Sequence, residues 1–188
     1  RQPVPRGDKS SSAAKPHIVA GMPMYNEEET IGSVVTRALR YVDEVICIDD
    51  GSSDASARIA EACGATVIRH RVNRGYGGAL KTLFLRASQL DADALVLLDS
   101  DGQHETADIP KLLKPILDGE ADFAIGSRFV DGGGGTDMPA YRRLGIKVIT
   151  AASNLSSDLG IKDTQSGFRA FSRTALERLR FDSEGMEL

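Results

Sequence analysis

Ala94-Leu95-Val96-Leu97-Leu98-Asp99-Ser100-Asp101-Gly102-Gln103-His104 is an apolar run that stops abruptly at two carboxylates one residue apart. Apolar residues in unbroken succession, without alternation, fit a strand buried on both faces, as in a parallel sheet covered by helices. The carboxylates then sit at the carboxyl end of that strand, the edge where open α/β sheets bind ligands. Asp99, Asp101 and the amide of Gln103 offer hard oxygen donors suited to Mg²⁺ or Mn²⁺, and such a cation would be shared with a diphosphate. Asp and Gly also favour turns for backbone reasons of their own, so the motif gains weight only from the rest of the chain.

Towards the amino terminus, residues 17–22 read as a first strand, ended by Pro23-Met24-Tyr25-Asn26-Glu27. Ile31, Val34, Val35, Ala38, Leu39 and Val42 then share one face of a helix, with Asn26 as cap and Glu29 three residues on. Residues 44–48 form a second strand that runs into Asp49-Asp50-Gly51-Ser52-Ser53-Asp54. Asp54 caps a helix whose Ile59, Ala62 and Cys63 face inward and which Gly64 ends. Thr66–Arg69 is a third strand. Gly75-Tyr76-Gly77-Gly78 leads into a helix with Leu80, Leu83, Phe84, Ala87 and Leu90 inward.

Towards the carboxyl terminus, Ile109, Leu112, Leu113, Ile116 and Leu117 mark a helix that accepts Pro110 in its first turn and that Pro115 should kink or shorten. Residues 123–125 form a strand that stops at Gly126-Ser127-Arg128. In residues 129–139 the pattern lapses around Gly132-Gly133-Gly134-Gly135, too costly in entropy for the interior of an element, and reads as a mobile loop beside the site. Helical spacing resumes over residues 141–159, opening with Arg142-Arg143. Asp163-Thr164-Gln165-Ser166-Gly167-Phe168-Arg169 enters a short strand, followed by a helix over residues 174–179. Strand and helix alternate throughout, which predicts a three-layer α/β domain with right-handed crossovers.

A chain of 188 residues is about one domain with room for a core. Residues 1–16 lack the apolar content to offset ordering and read as a disordered lead to a domain over 17–188. A net charge of -4 argues against a nucleic-acid partner, which needs a basic face, so an anionic ligand must be held locally by a cation, helix amino termini and a few arginines. Cys47 and Cys63 read as small buried hydrophobes in a reducing compartment. No apolar run approaches the roughly 20 residues of a membrane span, and residues 1–15 lack the hydrophobic segment of a signal peptide. A missing initial Met and the stop at Leu188 suggest a trimmed chain, which leaves open a span beyond either end.

Four strand ends therefore converge: residues 23–27, 49–54, 99–103 and 126–128. Acidic and amide groups on neighbouring strand ends build a pocket. Dinucleotide oxidoreductase and nucleoside-triphosphatase assignments lose weight, because no Gly-x-Gly-x-x-Gly follows the first strand and Gly75-Tyr76-Gly77-Gly78 lacks the Lys-Ser/Thr of a P-loop.

The ordered motifs Pro23-Met24-Tyr25-Asn26-Glu27, Asp49 to Asp54, Asp99-Ser100-Asp101-Gly102-Gln103 and Asp163 to Arg169 resemble those of the family-2 glycosyltransferases of the GT-A fold, closest to the dolichyl-phosphate and polyprenyl-phosphate sugar synthases. The resemblance runs from about His17 to Leu188 and implies a three-layer, Rossmann-like nucleotide-diphospho-sugar transferase fold with a mainly parallel central sheet. It implies inverting transfer of a sugar from a nucleotide diphosphate to a lipid phosphate, by an enzyme peripheral on the cytosolic membrane face. Carried over by position, Pro23, Tyr25, Glu27 and Asp50 hold the nucleobase and ribose. Asp99, Ser100, Asp101 and Gln103 meet the donor diphosphate, with Asp99, Asp101 and Gln103 on Mg²⁺ or Mn²⁺. Asp101, Arg128 and Arg143 form the catalytic set, Arg128 also on the donor, and Arg142, Arg143, Asp163, Gln165 and Arg169 line the acceptor end.

GDP-mannose and UDP-glucose are the donors that the resemblance suggests, mannose ahead of glucose, and nothing in Tyr25 or Asp50 decides between guanine and uracil. A phosphate acceptor is already anionic, so its attack needs no strong base. Were the acceptor a glycan or glycolipid hydroxyl, Asp163 would be the base, and an inactive nucleotide-sugar binding module is the reading of another class. His104 supports a ligand or faces solvent, since hard cations prefer oxygen, and His17 and His70 carry no site context. An apolar face near residues 141–159 either docks on lipid or packs in the core.

Overall fold

A computed structural model describes residues 15–127, 145–149 and 167–183. In chain order it contains β1 (Ile18–Met24), α1 (Ile31–Ala38), β2 (Glu44–Asp49), α2 (Ser56–Ala62), β3 (Thr66–Arg69), α3 (Gly75–Gln89) and β4 (Ala94–Leu97). There follow α4 (Ile109–Leu117), β5 (Phe123–Ser127), β6 (Gly145–Ile149), β7 (Arg169–Ser172) and α5 (Arg173–Ser183).

Strand residues alternate between two apolar clusters, which is why β1, β2 and β4 read as unbroken hydrophobic runs. Ala20, Met22, Cys47, Val96 and Leu98 pack under α1, α2 and α4. Val19, Ile46, Ile48, Leu95 and Leu97 pack under α3 and α5. The result is helix, sheet and helix in three layers, as the alternation predicts. Close packing explains a glycine in mid-strand: a Cβ on Gly21 would stand 2.3 Å from Leu83 Cδ2, so α3 lies directly over β1. Leu97 is fully buried in the second cluster. Leu97→Ala should therefore lower unfolding free energy by about 2–5 kcal/mol, read from the urea midpoint.

The sheet order is β3-β2-β1-β4-β7-β5-β6. β1 pairs in parallel with β2 and β4, and β2 with β3. β7 lies antiparallel between β4 and β5, which makes β5 run with β4, and β6 is antiparallel to β5. The carboxyl ends of β1, β2, β4 and β5 thus share one edge with the amino end of β7.

Several expectations are corrected. Residues 145–149, expected within a helix, form β6, because the β-branched Ile146, Val148 and Ile149 suit a pleated strand and β5 offers an open ladder; the rest of 141–159 lies outside the described residues. Asn26 does not cap α1. The residue before that helix is Thr30, and Asn26, at φ 56°, is spent on the neighbouring loop. In α2, Ile59 and Cys63 pack against the core as expected, beside the buried Ser56, Ala57 and Ala60, while Ala62 is exposed. Gly75-Tyr76-Gly77-Gly78 is itself the first turn of α3. Pro115 sits inside α4 but two residues from its end, where few hydrogen bonds are left to lose.

Two carboxylates tie down strand starts. Asp43 accepts Ile18 N–H at 3.0 Å and Lys15 Nζ at 2.6 Å; Asp93 accepts His17 N–H at 2.8 Å and pairs with Arg173 at 3.0 Å. The Lys15 hydrogen bond, followed by that of Ile18, holds Asp43 below the usual carboxylate range, and His17 N–H does the same for Asp93. Their folded-state values are depressed, so the stability they contribute is complete above the unfolded value near pH 4 and is lost as pH falls through the lower folded values. The urea midpoint should fall between pH 6 and pH 3, and less so in Asp43→Asn. Cys47 is buried, and desolvation pushes its thiol up to about 12. A native thiol titration at pH 8 should accordingly count Cys63 alone, and both cysteines after denaturation.

Candidate active site

The first two strand-end loops are stitched together by side chains that the sequence places there. Asn26 N–H donates to Ser52 Oγ (2.9 Å), Glu27 N–H to Ser56 Oγ (2.7 Å) and Glu28 N–H to Asp54 Oδ2 (3.2 Å). In return Asn26 Oδ1 accepts Ser53 N–H (2.9 Å). Asp54 also receives Ser56 N–H at 2.9 Å, one position from the cap expected of it. The third loop is tied in by Thr30 Oγ1, which donates to the Ser100 carbonyl at 2.8 Å. These bonds pre-set the loops before any ligand arrives.

Between the loops lies a cleft of about 350 Å³. Pro23, Tyr25, Glu27, Asp50, Asp99, Ser100 and Asp101 line it, so seven of the expected donor-side residues share one cavity. Gln103 stands beside it, its N–H donating to Asp101 Oδ1 at 2.9 Å. Arg169 opens β7, in register with Leu97 of β4 and therefore at the same sheet edge. Arg128, Arg142, Arg143, Asp163 and Gln165 lie outside the described residues. Arg128 directly follows Ser127, the last residue of β5.

The Asp99 carboxylate is gripped from two sides. His104 Nε2 lies 2.9 Å from its Oδ2, and the imidazole stacks on Phe168 with centroids 5.4 Å apart. Gly167 presses on its other flank: a Cβ there would stand 2.0 Å from Asp99 Oδ2. Partial burial pushes the Tyr76 phenol up, the Asp99 charge adds to that, and the Arg169 guanidinium opposes it. Tyr76, Asp99 and Arg169 thus face one another electrostatically.

Beyond the residues expected from the sequence, Asn73 ahead of α3 and Tyr76 and Ala79 in its first two turns line the cleft. His70, read as lacking context, is 8% exposed with its Nδ1 2.6 Å from Asp50 Oδ1. The usable signal was sheet register. In parallel neighbours Asp49 pairs with Arg69, which sets the next residues, Asp50 and His70, side by side. Burial opposes ionisation of Asp50, but Arg74 N–H, the His70 ring and Gly75 N–H together hold its carboxyl below the usual range.

Among the described residues no three of His, Cys, Asp and Glu stand together as a self-sufficient metal cluster. The oxygen set of Asp99, Asp101 and Gln103 fits a hard cation that draws its remaining ligands from water and substrate phosphates.

A model of glycosyl transferase family 2 matches residues 20–180. The chain belongs to glycosyl transferase family 2. It is similar to the UDP-N-acetylglucosamine--dolichyl-phosphate N-acetylglucosaminyltransferase of Methanococcus voltae, 32% identical over 176 residues, covering 84% of this chain and 70% of that protein. It is likewise similar to the dolichol-phosphate mannosyltransferase of Pyrococcus furiosus, 33% identical over 177 residues, covering 89% of this chain and 49% of that protein. Among solved structures, glucosyl-3-phosphoglycerate synthase from Mycobacterium tuberculosis in complex with Mg²⁺ and uridine-diphosphate superposes with a TM-score of 0.59 at 31% identity, over 86% of this chain and 58% of that one. This family 2 enzyme is a glycosyltransferase of the GT-A fold, and its relatives include dolichyl- and polyprenyl-phosphate sugar transferases.

Proposed function

We propose that this enzyme moves a hexosyl group from a nucleotide diphosphate donor to a dolichyl or polyprenyl phosphate, with inversion at the anomeric carbon. The observation that carries the reading is the single cleft in which Asp50, Asp99 and Asp101 meet at one sheet edge. The lipid phosphate acceptor rests on the relatives named for dolichyl or dolichol phosphate.

An acceptor phosphate oxygen forms a bond to the anomeric carbon as the bond from that carbon to the donor diphosphate breaks, and the diphosphate leaves with the electron pair. The acceptor is already an anion, so no side chain needs to take a proton. Pro23, Tyr25, Glu27 and Asp50 hold base and ribose at the first two strand ends. Asp99, Asp101 and Gln103 would hold Mg²⁺ or Mn²⁺, which when bound supplies Lewis-acid stabilisation of the departing diphosphate. Ser100, buried beside them, fixes the turn. Arg128 and Arg143, with forked guanidinium donors, neutralise the phosphates as charge shifts, while Arg142, Asp163, Gln165 and Arg169 shape the acceptor end.

Among the described residues no helix is long and apolar enough to cross a membrane. The reading takes access to the lipid phosphate to be by peripheral contact at the cytosolic face, as the family resemblance implies. The test is incubation of the chain with nucleotide hexoses, Mn²⁺ and a polyprenyl phosphate. A lipid-linked sugar is the expected product. Transfer to a glycan hydroxyl alone, abolished by Asp163→Asn, would replace the reading with the hydroxyl-acceptor one, and binding without any turnover would replace it with a binding module.

A further inference from the structure

The buried link behind the cleft bears on the donor base, which the motifs leave open. Asp50 is 4% exposed and His70 8% exposed. Asp50 Oδ1 receives two donors, the His70 ring at 2.6 Å and Arg74 N–H at 2.9 Å. An ionised carboxylate only accepts, so His70 Nδ1 carries a proton. The other ring nitrogen, Nε2, lies 2.8 Å from Thr82 Oγ1, and that hydroxyl is 3.2 Å from the Gly78 carbonyl. A chain of hydrogen bonds thus runs from the first turns of α3 through Thr82 and His70 to Asp50, fixing how the carboxylate is turned.

A carboxylate offers about four accepting positions. Those on Oδ1 are filled, which leaves Oδ2 as the oxygen open to a donor from the cleft. Uracil presents a single N–H on its pairing edge, flanked by two carbonyls. Guanine presents an N–H and an adjacent amino group, which call for both carboxylate oxygens side by side. A guanine amino group left without an acceptor in this pocket would cost roughly ten- to hundredfold in affinity.

We infer that the Asp50–His70–Thr82 link leaves the base site a single carboxylate oxygen rather than a pair side by side, and so selects a uridine diphosphate sugar over a guanosine one. This rests on reading the cleft as a nucleotide site, and it moves the donor away from the GDP-mannose expectation. His70 is here a positioning residue acting through Asp50.

The experiment is calorimetric titration of the chain with UDP and with GDP, each with Mn²⁺, for the wild type, His70→Phe and Thr82→Val. UDP should bind at least tenfold tighter than GDP in the wild type. The ratio should narrow several-fold in His70→Phe, where Oδ1 is released, and move the same way in the nearly isosteric Thr82→Val, which guards against misfolding of the first variant. A general loss of fold would weaken both nucleotides alike and leave the ratio in place. GDP binding as tightly as UDP in the wild type, or a ratio unchanged in a folded variant, overturns the inference while leaving the nucleotide site standing. No binding of either nucleotide removes the site reading and the inference together.

Discussion

Asp101→Ala should lower sugar transfer by about three orders of magnitude, the upper range for removing one preorganised electrostatic group at developing charge, while barely moving the melting temperature. Asp101 is exposed at the mouth of the cleft, where its carboxylate accepts Gln103 N–H at 2.9 Å. The turn itself is held by Gly102 at φ 76°, a conformation that suits glycine and does not depend on the neighbouring side chain. Removal of one exposed carboxylate therefore leaves the fold near its original stability, within about 0.5 kcal/mol. What disappears is one of the two anionic oxygens at this strand end that could share a cation with the leaving diphosphate. Turnover measured against a Mn²⁺ titration, beside a thermal melt, checks the outcome. A chelator should mimic the substitution in the wild type, and turnover retained in Asp101→Ala would remove this residue from the metal set.

Gly167→Ala carries the second-largest effect, a loss of about a hundredfold in transfer, the scale for displacing a positioned group by roughly 1 Å. The added methyl would lie 2.0–2.2 Å from the Asp99 carboxylate atoms, and something must move. Asp99 is the softer partner: its side chain is 32% exposed and rotates about two bonds, whereas Gly167 is backbone at the entrance to β7. The carboxylate should swing away, breaking its 2.9 Å contact with His104. The fold should persist, since the three atoms nearest the added methyl all belong to the partly exposed Asp99 side chain. Transfer assays and melting curves separate the two effects; a fully active Gly167→Ala would show that Asp99 is not needed in its observed place. His104→Ala should produce a milder loss in the same assay, about tenfold or more, because it removes the support without forcing the carboxylate out.

The hydrophobic runs of β1, β2 and β4 were legible because both faces of a central parallel strand are buried, so no polar alternation interrupts them. Each run ends at the sheet edge where the connecting loops begin, which is why the change from Leu98 to Asp99, or from Ile48 to Asp49, reads as a candidate site as well as a boundary. Local sequence therefore determined the strand ends, and with them Pro23 to Glu27, Asp50 and Asp99 to Gln103. It could not determine that β7 inserts antiparallel between β4 and β5, since that pairing joins segments about 45 to 75 residues apart and is set by which edges are left open. Gly167 and Phe168 reach Asp99 and His104 only through that insertion. The helix expected over residues 141–159 failed at 145–149 for a related reason: alternating β-branched residues tolerate either period, and the free edge of β5 decided. His70 and Thr82, too, are ordinary residues in sequence. Only the parallel register of β2 with β3 and the packing of α3 across them turn the pair into the support behind Asp50, because hydrogen-bond partners are chosen by distance in space and not by spacing along the chain.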